Sequence, residues 1–148
     1  MPEVKTQLVL DAPRARVFEA FLDKSRWRQF SAMADLDAHR PIELGRRFAF
    51  SIKIPGLPRA PILVTVSRFE SGAEVAWTGR VPGFGGEHYF RFSDAPGGGT
   101  LLVHGERFYG PLGDLLVALR GRQIEATYDA FNRGLASSLG VGARPPAV

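Results

Sequence analysis

Three residues near the middle of the chain have the chemistry of a polar site: His88, His104 and Glu106. They fall in GEHYFRFSDAPGGGTLLVHGERFYG, residues 86–110, which reads as two strands around a glycine-rich turn. Side chains alternate between faces along a strand. His88 therefore shares a face with Phe90 and Phe92, and His104 and Glu106 share one with Leu102 and Phe108. With the strands paired around DAPGGG, His88 is expected opposite or nearly opposite His104, with Glu106 one step away on the same face. Directly opposed Cβ atoms lie about 4.5–5.5 Å apart and diagonal ones about 7–8 Å. The trio then forms one polar patch on an apolar surface.

Such a patch supports three kinds of chemistry. A buried polar group costs several kcal/mol unless it is hydrogen-bonded, so the trio can serve structure by satisfying itself. It can serve recognition, because binding pockets are mostly apolar with a few placed polar groups that orient the ligand. It can serve catalysis, with a neutral histidine as general base and a buried glutamate of raised pKa as general acid. Recognition ranks ahead of structure, and catalysis third; the residues leave turnover open. Two histidines and a glutamate are also a zinc set, but two adjacent strands supply these three without further ligands, so neither metal nor cofactor is expected.

The elements that position the trio follow from periodicity. Val4, Thr6, Leu8 and Leu10 alternate with Glu3, Lys5 and Gln7 as a half-buried strand. In DAPRARVFEAFLDKSRWRQF, Pro13 suits a first helical turn, and Val17, Phe18, Phe21 and Leu22 form an apolar stripe. Trp27 and Phe30 mark a second short helix. SAMADLDAHRPIELG reads as a loop, with His39 where it would close a cavity mouth. Strands follow in RRFAFSIKI, with Phe48, Phe50, Ile52 and Ile54 in phase, in ILVTVSRFE, with Ile62, Val64 and Val66, and in AEVAWTGRV, with Val75 and Trp77. Arg80 and Arg91 fall on outward phases. PGLPRAP and PGFGG are breaks, and the order predicts an antiparallel meander. Neither GFGG nor APGGG opens a helix after a strand, so neither is a phosphate loop.

The chain closes with PLGDLLVALRGRQIEATYDAFNRGLASSLG, where Val117, Gly121, Ile124, Tyr128, Phe131 and Leu135 recur at helical spacing. Leu112, Leu115, Leu116 and Leu119 widen the apolar face at its start. Pro111 opens this helix and Gly140 ends it; roughly 28 residues at 1.5 Å rise span about 42 Å. Gly113 and Gly121 mark close packing or a bend. VGARPPAV reads as a flexible tail, residues 141–148, after a single domain over 1–140. An apolar sheet face has to be covered, and the long helix is the element large enough to cover it. A strongly curved sheet around one helix leaves space between them, faced by phenylalanine, valine and tryptophan.

Bulk properties narrow the function classes. The 148 residues are 45% hydrophobic and 23% charged, as in a globular protein. The net charge of +4 comes from scattered arginines rather than one basic run, and no zinc-ligand spacing or RNA-binding aromatic signature accompanies it; no nucleic-acid partner is expected. The absence of cysteine rules out disulfides, thiolate nucleophiles and cysteine metal sites. MPEVKTQLVLDAP lacks the pattern of a signal peptide, and no apolar run approaches the roughly 18 residues of a membrane span. A cytoplasmic location without membrane insertion is the default. An unpaired edge strand would support a homodimer as well as a monomer.

AEVAWTGRVPG, GEHYFRF, GGGTLLVHGERFYGPLGDLL and the terminal helix together resemble the START-like or SRPBCC superfamily, and within it a small bacterial subgroup of unassigned function. The resemblance runs from Val4 to about Leu139. The superfamily includes the birch-pollen allergens, polyketide cyclases and aromatases, and lipid-transfer domains. The resemblance implies an α+β helix-grip fold: a curved antiparallel sheet of about six to seven strands around the C-terminal helix, with two short helices after strand 1. It also implies a deep cavity for a lipid-like or aromatic small molecule. No catalytic residue set carries over, since one scaffold hosts many functions. The candidate ligand-binding residues are Phe48, Phe50, Trp77, His88, Phe90, His104, Glu106, Phe108 and Tyr128. The alternatives are a polyketide cyclase or dehydratase-type enzyme using His88, His104 and Glu106, and a protein-interaction module like the superfamily's chaperone regulators.

Overall fold

The computed structural model describes residues 2–37, 40–53 and 56–147. His39 and Ile54 lie outside the described residues. The element order is β1 (Glu3–Leu10), α1 (Arg14–Leu22), a 3-10 turn (Lys24–Arg26), α2 (Trp27–Phe30), β2 (Met33–Asp35), β3 (Arg47–Ile52), β4 (Ala60–Glu70), β5 (Glu74–Val81), β6 (Phe84–Asp94), β7 (Thr100–Tyr109), α3 (Pro111–Ser138) and β8 (Ala143–Arg144). The strands form one antiparallel sheet in the order β2-β3-β4-β5-β6-β7-β1-β8. This is the helix-grip arrangement.

The sheet has eight strands among the described residues rather than six or seven. The two extra ones are short edge strands in segments without apolar alternation. Met33–Asp35, expected as loop, pairs with β3, and Ala143–Arg144, in the expected tail, pairs with Val9 and Leu10. Beyond the backbone pairing, Met33 is buried in the core and Arg144 pairs with Asp11 and donates to the Gly98 carbonyl, long-range contacts that periodicity does not register. PGFGG is a smaller break than expected. Val81 pairs with Phe84 across Pro82 and Gly83, and Gly83 has φ of 79°, so the following glycines already belong to β6.

Alternation places the rest of the core. In β1 the buried residues include Val4, Thr6, Leu8 and Leu10. A bulge between Val66 and Arg68 in β4 changes the phase, which turns Phe69 inward against Phe18, ring centroids 5.9 Å apart. The α1 stripe buries Val17, Phe18 and Phe21. Phe21 and Trp27 meet Phe90, Trp77, Phe48 and, on α3, Phe131. Burial of each such aromatic stabilises by about 1.5–3 kcal/mol.

A buried ion pair fastens the turn before α2 to the sheet edge. Lys24 Nζ donates to Asp35 Oδ1 at 3.1 Å and to the Asp37 carbonyl at 2.9 Å, and both side chains are almost fully buried.

Helix α3 runs from Pro111 as expected, and its stripe is buried from Ile124 through Tyr128 and Phe131 to Leu135. Its first half departs from expectation. Leu112, Leu115 and Leu119 are exposed, and Leu116 is the one leucine of that set on a cavity wall. Gly113 packs closely, since a Cβ on it would stand 3.2 Å from Phe108 Cβ, whereas Gly121 meets only Val117 at ordinary contact distance.

Candidate functional site

The space between sheet and α3 is divided. Towards α1 and α2 it is filled by the aromatic cluster around Phe21, Trp27 and Phe131. Towards the start of α3 a second, smaller cluster of Val4, Phe108, Ile124 and Tyr128 borders an open cavity of about 400 Å³. Its walls are Phe50 and Ile52 of β3, residues 60–64 of β4, Trp77 and Gly79 of β5, Phe84, Gly86 and His88 of β6, Glu106 and Phe108 of β7, and Leu116, Ile124 and Tyr128 of α3. Leu57, Arg80 and Val81 complete the mouth.

Six of the nine candidate residues line this cavity: Phe50, Trp77, His88, Glu106, Phe108 and Tyr128. Phe48, Phe90 and His104 do not. They are fully buried, behind the wall, because Phe21, Trp27 and Phe131 occupy the space in front of them. Phe90 lies 4.4 Å from Phe21 and 5.5 Å from Phe131, centroid to centroid. Sequence reading missed the β4 wall, Phe84 and Ile124 as cavity residues, although the in-phase Val64 and the stripe residue Ile124 carried the signal. Arg80 is exposed as expected but borders the mouth. Arg91 is on the outer face, over the Tyr89 ring at 4.5 Å and paired with Glu74 at 2.7 Å.

The pairing register places Glu106, not His104, opposite His88; His104 faces Phe90. The trio nevertheless converges. His88 Nε2 and His104 Nε2 stand 2.6 Å apart, and His88 Nδ1 lies 3.6 Å from Glu106 Oε1. The Tyr128 hydroxyl donates to Glu106 Oε1. Behind the pair, His104 Nδ1 is 2.8 Å from Asn132 Oδ1, Asn132 Nδ2 donates to Thr6 Oγ1 at 2.9 Å, and Thr6 Oγ1–H donates to the His104 carbonyl at 2.9 Å. Thr6 stands directly opposite His104 in the β1–β7 ladder.

Asn132 and Thr6 were not foreseen as partners of the site. Asn132 is fully buried. Its signal was available: it sits four residues after Tyr128, a polar side chain interrupting the apolar stripe. Trp77 Nε1–H, by contrast, has no acceptor among the described residues and is shut off from solvent; Trp77 presents its ring to the cavity.

Burial dominates the electrostatics. It pulls the His104 imidazole down to about 3, against the opposing hydrogen bond with Asn132 and the Tyr128 carbonyl. Burial, then the His104 ring, hold His88 well below its usual range. Burial raises Glu106 to about 7, although the hydrogen bond from Tyr128 favours its carboxylate. The Tyr128 phenol is raised well above its usual range by burial and then by Glu106. At neutral pH the site therefore holds two neutral imidazoles beside a carboxyl that burial has pushed well above the usual carboxylate range. It can accept and donate single protons inside an apolar space.

Among the described residues no helix is long and apolar enough to cross a membrane. No protein with a curated description matches the chain. Solved structures share its fold at low identity. The hypothetical protein jhp0584 from Helicobacter pylori is 16% identical with a TM-score of 0.74, over 93% of this chain and 87% of that one. Protein Ms6760 from Mycobacterium smegmatis is 12% identical with a TM-score of 0.73, over 93% and 90%. DynU16, from the dynemicin biosynthetic locus, is 18% identical with a TM-score of 0.65, over 93% of this chain and 47% of that one. At such identities the likeness speaks for the fold alone. The sequence family described as polyketide cyclase / dehydrase and lipid transport matches residues 1–140, and the chain belongs to that family.

Proposed function

We propose that the protein binds a hydrophobic small molecule, lipid-like or aromatic, in the cavity between sheet and α3. One observation carries the reading: apart from Arg80 at the mouth, the cavity's side chains are apolar except at one place inside, where His88, Glu106 and Tyr128 meet. Pockets for small molecules have this character, with apolar walls for affinity and a few polar groups for orientation. A volume of about 400 Å³ is at the lower end of ligand pockets, which favours compact ring systems over long acyl chains. No resident cofactor enters this reading.

The test is a thermal-shift screen of fatty acids, sterols, flavonoids and aromatic polyketides on the wild type and on a His88→Leu/Glu106→Leu variant. A ligand at a hundred times its Kd stabilises by about 2.7 kcal/mol. A class that stabilises the wild type and not the variant identifies the ligand. No response to any class, with the variant merely less stable, leaves the polar cluster a structural role.

A second reading, a cyclase or dehydratase, is favoured by one feature. Glu106, at about 7, adjoins a neutral histidine, and such a pair can take a proton from an enolisable carbon and return one to a leaving hydroxyl. His88 is the base in this reading and Glu106 the acid. A Glu106→Gln variant that binds a polyketone but no longer turns it over supports it.

A further inference from the structure

The hydrogen bonds behind His88 decide which of its nitrogens carries the proton. The chain of contacts begins at a group that can only accept, the His104 carbonyl. Thr6 Oγ1–H is spent on that carbonyl, so Thr6 Oγ1 must accept from Asn132, which puts the amide Nδ2 there. Asn132 Oδ1 is then left facing His104 Nδ1, and an oxygen acceptor there requires a proton on Nδ1. A neutral imidazole carries one N–H. His104 Nε2 thus holds a lone pair and accepts from His88 Nε2–H at 2.6 Å. His88 in turn has no proton on Nδ1. Reversing any link sets donor against donor or acceptor against acceptor in a buried contact, at a cost of about 1–3 kcal/mol each.

His88 Nδ1 is therefore an acceptor, and its neighbour Glu106 Oε1, at 3.6 Å, is beyond hydrogen-bond length. The Tyr128 hydroxyl is already committed to Glu106, and Trp77 Nε1–H is inaccessible. The polar end of the cavity offers a lone pair and a carboxyl, with Oε2 of that carboxyl turned to Gly86.

Resting on the cavity reading above, we infer that Thr6 and Asn132 are positioning residues that hold His88 with a bare Nδ1 towards the cavity, and that the ligand places a weakly acidic O–H, a phenol or an enol, against it. An ether or ester oxygen of the same shape would meet that lone pair with its own. The same lone pair is the one a proton-abstracting base would use.

Two measurements on the full chain test this. The first is a long-range proton–nitrogen NMR correlation of the uniformly ¹⁵N-labelled protein at neutral pH without ligand. His104 is expected to carry its proton on Nδ1 and His88 on Nε2; a proton on His88 Nδ1 overturns the inference. The second is a titration with 2-naphthol and with 2-methoxynaphthalene, which differ by replacing the O–H with a methyl ether. The naphthol is expected to bind roughly two- to tenfold more tightly, the worth of one hydrogen bond. Equal binding of the two overturns the donor preference and leaves the cavity reading standing. Binding of neither removes the cavity reading, and the ligand class with it, whatever the tautomers.

Discussion

The carboxyl of Glu106 occupies the space that a side chain at position 86 would fill. A Cβ placed on Gly86 runs into Glu106 Oε2, because the two residues are diagonal neighbours on the inner face, with His88 opposite Glu106 and Gly86 opposite Phe108. The glycine is the room in which the carboxyl stands beside His88. Gly86→Ala should cost about 1–3 kcal/mol in the wild type, as overpacking does, and close to nothing in a Glu106→Ala background. Equilibrium denaturation of the four proteins gives the coupling energy; a penalty equal in both backgrounds would refute the shared volume.

Stability should peak close to pH 6.5. Below that value the unfolded chain protonates His88 and His104, which start from 6.5, while the folded chain does not, His104 resisting to about 3. Stability from these depressed pKa values is present above 6.5 and lost as the pH falls. Glu106 acts in the opposite direction: its folded value of about 7 against 4.5 means stability is lost as the pH rises from 4.5 to 7. Between 4.5 and 6.5 two histidines oppose one carboxyl, so stability falls on acidification. Glu106→Gln should roughly double that slope and abolish the decline above 6.5. Urea unfolding across this range measures both slopes.

Tyr128→Phe should raise the Glu106 pKa above 7. The phenol donates to the carboxyl and so favours the charged form; without it, burial acts unopposed. A ¹³C NMR titration of the Glu106 side chain reads the change, and a downward shift would contradict the direction of the hydrogen bond.

Lys24→Met should destabilise by about 3–5 kcal/mol, because it leaves the Asp35 carboxylate buried without its counter-charge. Lys24→Met/Asp35→Leu should recover most of that loss, since replacing a whole buried pair by apolar groups is close to neutral. The unfolding midpoints of the single and double variants are the measurement. Asp35 Oδ2, which has no partner among the described residues, is a further reason to expect recovery.

Ring packing and hydrogen bonding explain which parts of the site were legible. Alternation put His88, His104 and Glu106 on the inner face, and helical spacing put Tyr128 on the stripe that faces them. Both are local periodicities and survive any error in register. The convergence of the trio was readable for the same reason: three polar side chains on one face of two adjacent strands stay within reach whether the partner of His88 is His104 or Glu106. That His104 would withdraw behind the wall while His88 reached the cavity was not readable. It depends on Phe21 and Trp27, which come from helices over 50 residues earlier in the chain and fill one half of the grip.

By itself the sequence determined the order of the long elements, the extent of α3 from Pro111, the inward faces of the long strands and the polar character of one spot on an apolar surface. All of these follow from side-chain periods of two and 3.6 and from Pro and Gly at the boundaries. The register of β6 against β7 is set by the five-residue turn from Ala95 to Gly99 through its own hydrogen bonds, a local feature that alternation does not read. The tertiary structure alone decided the place of the cavity and the meeting of Thr6 with Asn132, 126 residues apart. The tautomer of His88 hangs on that last contact. A proton's position on an imidazole is settled by what the other nitrogen bonds, and here the partners come from β1, β7 and α3, brought together only when the sheet closes around the helix.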